Sequence, residues 1–269
     1  MRDKKIRVLI GTLPSLGEGG VGSMLRFVCN FFNFNTYDVS LITNTPTHYD
    51  TQNLFIEDVL RARWKVGIKQ SLWEGLKVFI VGRRFSYLEP LHYLGNIREW
   101  VQIAKDYDIH IVVSGYNNVG LAFAKGGYKF ISWIATTFDD DRKGRKGKWP
   151  KIRQWVDTLW SPLLRKIEHY ILQKCHQTLV LSNYTAKLIA GRYKLYPPKI
   201  KVMPYPIDTD WFHPSDQSNS FNVVSVGRWD DPRKNVSMLI RAFSIVHKKI
   251  PKARLILVGS VSDQVLKLI

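Results

Sequence analysis

Only two cysteines, Cys29 and Cys175, occur in 269 residues. That is too few for a disulfide framework, and their spacing forms no metal motif. The expected setting is reducing and cytoplasmic, or peripheral on the inner face of a membrane. Long hydrophobic runs are also missing: nothing approaches the roughly 20 apolar residues of a membrane span. The N-terminal Met1-Arg2-Asp3-Lys4-Lys5 precedes an apolar stretch, Ile6–Ile10, that is too short for a signal peptide and reads as a first β-strand. Acidic residues are scarce. Twenty-two Asp and Glu stand against 40 Lys and Arg, a formal net charge of +18. Such an excess suits nucleic acid, an anionic membrane surface or a polyanionic substrate. No zinc finger, KH loop or RRM aromatic pair is found, so no specific nucleic acid is expected.

What is present is 45% hydrophobic, enough for a large core. Apolar runs of strand length (Ile6–Gly11, Val39–Thr43, Ile109–Ser114, Phe130–Ala135, Thr178–Ser182, Ile200–Met203) alternate with helix-period segments (Val21–Phe32, Ile97–Ala104, Leu163–Cys175, Tyr184–Arg192). This alternation predicts an α/β protein with a parallel, doubly wound sheet over residues 1–204. A proline- and aspartate-rich stretch then reads as a linker, 205–220. Residues 221–269 start again with a strand (Val223–Gly227), a helix (Val236–Ile250), a strand (Arg254–Gly259) and a further helix over Ser262–Ile269. Two parallel strands and one complete helix do not bury both faces of a sheet, so this second domain is expected to be incomplete in the chain.

Within it, Val223-Val224-Ser225-Val226-Gly227 is followed at once by Arg228, and Lys234 stands where the next helix begins. A strand, a tight turn and a cationic helix N-terminus form the arrangement needed to hold a diphosphate. A glycine-rich loop, Gly17-Glu18-Gly19-Gly20-Val21-Gly22, precedes the first helix. It matches G-x-G-x-x-G, the dinucleotide fingerprint, yet five residues separate it from the first strand and the second strand ends Ile42-Thr43-Asn44 without the ribose-binding acid. Two other readings stand beside that one. The glycines let the helix pack closely on the sheet, or they form an anion- or substrate-contacting loop with free backbone N–H groups.

These residues, with Leu179-Val180-Leu181-Ser182 before a helix, Lys201-Val202-Met203-Pro204, Ile207-Asp208-Thr209-Asp210-Trp211-Phe212-His213-Pro214, Val226-Gly227-Arg228…Lys234-Asn235 and Leu255–Gly259, resemble the group 1 glycosyltransferases, family 4 of the sugar transferases. The Gly227–Asn235 segment is similar to that of bacterial mannosyltransferases acting on membrane phospholipids. The resemblance implies a GT-B fold: two Rossmann-like domains, the second incomplete here, with the nucleotide sugar mainly on the second and the acceptor on the first. It implies hexosyl transfer with retention from a nucleotide-diphosphate sugar to a glycan or lipid-linked acceptor, in envelope or polysaccharide assembly, with no cofactor and no essential metal. Arg228 and Lys234 would grip the donor diphosphate, and Gly19 and Gly20 would touch the donor from the first domain. The family's spaced pair of donor-contacting glutamates is not found in the chain, and no catalytic histidine is assigned. A catalytically incomplete remnant or binding subunit is therefore the second reading, and a basic nucleic-acid binder the third.

Ligands in doubly wound sheets bind at the C-terminal ends of the strands. Tyr116, Asn117 and Asn118 follow Ile109–Ser114 there and are acceptor-side candidates. So are Thr137 and Asp139, in a segment whose triplet Asp139-Asp140-Asp141 reads either as a cleft loop binding acceptor hydroxyls or as a turn neutralising the basic stretch behind it. That stretch, Arg142–Trp155, interleaves cations with tryptophans and suits anionic lipid, or is a solvated loop leading into a structural helix. Pro150 and Pro162 are expected to interrupt any single long helix here.

Overall fold

The computed structural model describes residues 5–17, 19–34, 37–46, 50–61, 64–86, 88–147, 149–195, 199–210, 212–214, 221–229, 231–260 and 266. The helix expected over Ser262–Ile269 lies almost wholly outside them, as do Glu18, Trp211 and Ser215–Ser220. The elements run β1 (Arg7–Thr12), α1 (Gly19–Phe34), β2 (Asp38–Asn44), α2 (Ile56–Leu60), β3 (Ile68–Trp73), β4 (Leu76–Val81), α3 (Glu89–Leu94), α4 (Ile97–Ala104), β5 (Ile109–Ser114), α5 (Leu121–Lys125), β6 (Phe130–Ile134), α6 (Phe138–Lys146), α7 (Lys151–Lys174), β7 (Gln177–Val180), α8 (Asn183–Tyr193) and β8 (Ile200–Val202). After these come β9 (Asn222–Val226), α9 (Val236–Lys249) and β10 (Arg254–Val258). Two compact units result. One comprises Met1–Arg142 with Pro150–Pro206, the other Lys143–Trp149 with Ile207–Ile269.

The first unit is built on an eight-stranded sheet in the order β3-β4-β2-β1-β5-β6-β7-β8. Every pairing is parallel except β3–β4, a hairpin turning at Glu74 and Gly75, both at positive φ. Period-two alternation feeds two cores, one on each face. Leu9, Ile42 and Val112 pack on one side with Trp100, Phe123, Leu164 and Ile171 from α4, α5 and α7. Val8, Ile10, Leu41, Ile111 and Val113 pack on the other with Met24, Leu25, Val28 and Cys29 of α1. Strands buried on both sides have little reason to be polar, which is why β1, β2 and β5 read as continuous apolar runs. His110 joins this interior. Its Nε2 meets the Ala104 carbonyl at 2.9 Å, its ring lies 4.5 Å from that of Tyr128, and burial lowers its pKa.

The expected interruption at Pro162 does not occur: α7 runs unbroken from Lys151 to Lys174, with Pro150 as its N-cap. Pro162 and Thr158, whose carbonyl the missing N–H would have bonded, are both exposed, so the lost helix bond lies on the solvent side of α7. Ser161 Oγ donates to the Asp157 carbonyl at 2.6 Å and supports the same turn. Among the described residues no helix is long and apolar enough to cross a membrane.

The second unit pairs β9 with β10 in parallel and lays α9 beside them. Trp229 and Val236 are buried in it and pack with Leu239, Ile240 and Leu257, and Ala253 is buried too. Val224, Val226 and Val258 remain largely exposed.

Candidate functional site

In the first unit the direction of strand progression reverses between β1 and β5, where the loops leaving the two strands part. The glycine-rich loop leaves β1 at this point. Gly17 and Gly19 have φ of 77° and 57°, in the left-handed region. A Cβ on Gly22 would strike the Gly17 backbone, and one on Gly20 would strike the Tyr205 hydroxyl. Gly22 thus serves close packing of the helix start, whereas Gly19 and Gly20 are exposed. Arg26 secures the loop, donating to the Gly17 carbonyl at 3.1 Å and pairing with Glu74 at 2.8 Å.

The acceptor-side candidates lie along the ends of β5 and β6. The Tyr116 hydroxyl is 3.0 Å from that of Tyr93 and donates to Glu89 Oε1 at 3.4 Å. Burial raises the pKa of both phenols, Tyr93 to about 12 and Tyr116 well above 10, so both stay neutral. Glu89 in turn pairs with Arg142, which also faces Asp157 at 3.5 Å and lies 5.0 Å over the Phe138 ring. Asn117 and Asn118 are fully buried in a 3-10 turn. Asn117 Oδ1 accepts from Ser132 Oγ, while Asn117 Nδ2 and Asn118 Oδ1 have no hydrogen-bond partner among the described residues.

Thr137 is buried, donates to Asp140 Oδ2 at 2.9 Å and accepts from Arg192 Nη1 at 3.2 Å. Asp139 pairs with Arg165 at 2.7 Å and with Arg192 at 3.1 Å. The acidic triplet is helical. It forms the first turn of α6, where carboxylates face the positive end of the helix. The arginines paired with Asp139 come from α7 and α8 rather than from the basic stretch.

Two residues not singled out in the sequence complete this edge. Glu168, fully buried on α7, accepts the Phe138 backbone N–H at 2.9 Å and the Tyr193 hydroxyl, and the Asn117 N–H also serves it. It thereby ties the loops after β5 and β6 to α7 and α8. Arg83, just past β4, holds its Nε away from solvent without a hydrogen-bond partner among the described residues. A basic residue two positions after an apolar strand was its only signal.

In the second unit Arg228 and Lys234 flank the turn between β9 and α9. Gly227 N–H donates to the Val258 carbonyl at 2.9 Å, and Lys234 N–H to the Asp231 carbonyl at 2.9 Å, which fixes the turn from both ends. Arg233 is held by Asp231 at 2.6 Å. Arg228 and Lys234 are exposed, and among the described residues their side chains have no hydrogen-bond or ion-pair partner.

The basic stretch divides. Arg142 is enclosed by its acids, whereas Ile152, Trp155 and Leu159 on the first turns of α7 are 81%, 70% and 57% exposed.

Comparison with solved structures shows the GT-B type of fold. A glycosyltransferase from Rickettsia africae superposes with a TM-score of 0.53 at 14% identity, over 98% of this chain and 65% of the other. The UDP-GlcNAc 2-epimerase of Methanocaldococcus jannaschii gives 0.51 at 11%, over 98% and 67%. An alpha-glucosyltransferase solved with UDP and a 13-mer DNA gives 0.50 at 11%, over 98% and 59%. The chain thus spans about two thirds of the length of such structures. No curated protein sequence matches it. The family signal covers 19–211, from the start of α1 through β2–β8 to the linker, and by that match the chain belongs to Glycosyltransferase Family 4.

Proposed function

We propose that this protein transfers a sugar from a nucleotide-diphosphate donor to a glycan or lipid-linked acceptor, with retention of configuration. The observation that carries the reading is the pair of exposed cations, Arg228 and Lys234, without side-chain partners among the described residues, on either side of a turn fixed by backbone hydrogen bonds. Cleavage of a sugar–diphosphate bond leaves charge on the departing phosphate. A guanidinium fork and an ammonium held at a strand–helix turn stabilise that charge as it develops. A neighbour of the same fold holds UDP, which supports a nucleotide sugar as donor. The exposed, cation-flanked apolar stripe of α7 supports a peripheral position on an anionic membrane, where lipid-linked acceptors reside.

The test is thermal stabilisation by UDP and by other nucleoside diphosphates, followed by transfer from the matching nucleotide sugar. A ligand at 100 times its Kd adds about 2.7 kcal/mol. That gain should shrink in R228A and in K234A and persist in R233A, whose guanidinium is already engaged by Asp231. No stabilisation by any nucleoside diphosphate would favour a non-catalytic binding subunit.

A further inference from the structure

Arg83 lies two residues beyond the end of β4, on the strand edge that also carries Tyr116 and Thr137. Its backbone is fixed: the N–H donates to Asn53 Oδ1 at 2.7 Å, and the carbonyl accepts from Leu54 N–H at 2.9 Å. Its side chain is not satisfied. The residue is half-buried, Nε is closed off from solvent with no partner, and among the described residues no carboxylate pairs with the guanidinium. Burial lowers its pKa, and this outweighs the opposing influence of Tyr93, Glu89, Tyr116 and Asp50. Glu89 is already held by Arg142 and the Tyr116 hydroxyl.

A buried guanidinium N–H without a hydrogen-bond partner is costly, and buried polar atoms in folded proteins are nearly always paired. A bound anion would complete this one. The surroundings suit it. The hydroxyls of Tyr93 and Tyr116 are linked to each other and remain protonated. Arg142 provides a second guanidinium, oriented by Glu89 and Asp157. Arginine matches oxyanions by presenting several N–H donors in a fixed plane.

We infer that Arg83 anchors an oxyanion subsite on the first unit, taking a phosphate or carboxylate group of the acceptor. That the anion belongs to an acceptor rests on the transferase reading above; the subsite itself rests on the geometry of Arg83.

The experiment follows the Arg83 Nε–Hε resonance in 15N-labelled full-length protein, identified by its disappearance in R83K. Titration with glycerol 3-phosphate should move it saturably, while glycerol, and chloride at matched ionic strength, should not. Glycerate in place of glycerol 3-phosphate tells carboxylate from phosphate. Vesicles of phosphatidylcholine with and without phosphatidate tell a lipid headgroup from a soluble phosphate. R83Q should weaken glycerol 3-phosphate binding about tenfold, as expected for loss of a charge-assisted contact; R83K, which keeps the charge, serves if R83Q does not fold. A resonance that stays still with glycerol 3-phosphate, glycerate and phosphatidate vesicles, or moves equally with chloride, overturns the inference. UDP stabilisation of the same sample reports on the donor reading separately, because its cations lie in the other unit. Either result can therefore fail without the other.

Discussion

Glu168 Oε1 accepts the backbone N–H of Phe138 at 2.9 Å, joining the middle of α7 to the first residue of α6. Its other oxygen takes the Tyr193 hydroxyl from α8. E168A would leave three buried donors, the Phe138 and Asn117 N–H groups and the Tyr193 hydroxyl, without this acceptor, at about 1–3 kcal/mol each. E168Q keeps an acceptor and should cost less. The carboxyl is also pushed above its ordinary value of 4.5 by burial. The folded state then holds the proton more tightly than the unfolded chain. The stability gained from this is full below pH about 4.5 and is lost as pH rises through the higher folded value. Urea titrations of wild type and E168Q should show wild type losing ground to E168Q as pH rises from that point. A difference independent of pH would mean that the carboxyl is not shifted.

Gly20 and Gly22 are two residues apart, yet alanine should act differently at each. At Gly22 a Cβ meets the Gly17 backbone, which cannot move without reshaping the loop. At Gly20 it meets the end of the Tyr205 side chain, which can rotate away. G22A should destabilise by about 1–3 kcal/mol, the range for forced overpacking, and G20A by clearly less. The residual cost of G20A should largely vanish in G20A/Y205A. Equal melting temperatures for G20A and G22A would contradict this picture.

Much of the sheet was legible because its strands are buried on both faces and so stand out as apolar runs between helical periods. The edge was not. Ile68–Trp73 includes Lys69, Gln70 and Ser71 and is exposed along most of its length, so no apolar face marks it as β3. The readable signals were Glu74-Gly75 as a two-residue turn and the run Leu76–Val81. Glu168 was illegible for another reason. A charged residue in a helix reads as solvated, and its donors Phe138 and Tyr193 come from 30 and 25 residues away. The acidic triplet shows the same limit, since only the fold reveals which arginines it meets. The turn that carries Arg228 and Lys234 was legible because it is local to the sequence.

The cysteines give a test of core closure. The Cys29 thiol is pushed up to about 12, chiefly by burial and secondarily by the charge of Glu74. Cys175 is also raised by burial, and its Sγ lies 3.1 Å from Thr178 Oγ1. Neither should form thiolate or meet reagent in the folded protein. A chromogenic disulfide reagent near pH 8 should report no thiol in native protein and both in denaturant. A fast-reacting thiol in native protein would show that the α1 or α7 side of the core opens.

The apolar stripe Ile152, Trp155 and Leu159 sits at helical spacing on α7, beside exposed Lys151 and Arg153. With a net charge of +18, some attraction to anionic vesicles is expected from charge alone. The stripe adds something charge cannot: insertion of a large apolar side chain is worth about 1.5–3 kcal/mol. Sedimentation with phosphatidylglycerol-containing vesicles should therefore show binding that is only partly reversed by salt. In I152S/W155S/L159S, whose charge is unchanged, the salt-resistant fraction should disappear. If that variant sediments like wild type at every salt concentration, the stripe does not enter lipid, and the attraction is purely electrostatic.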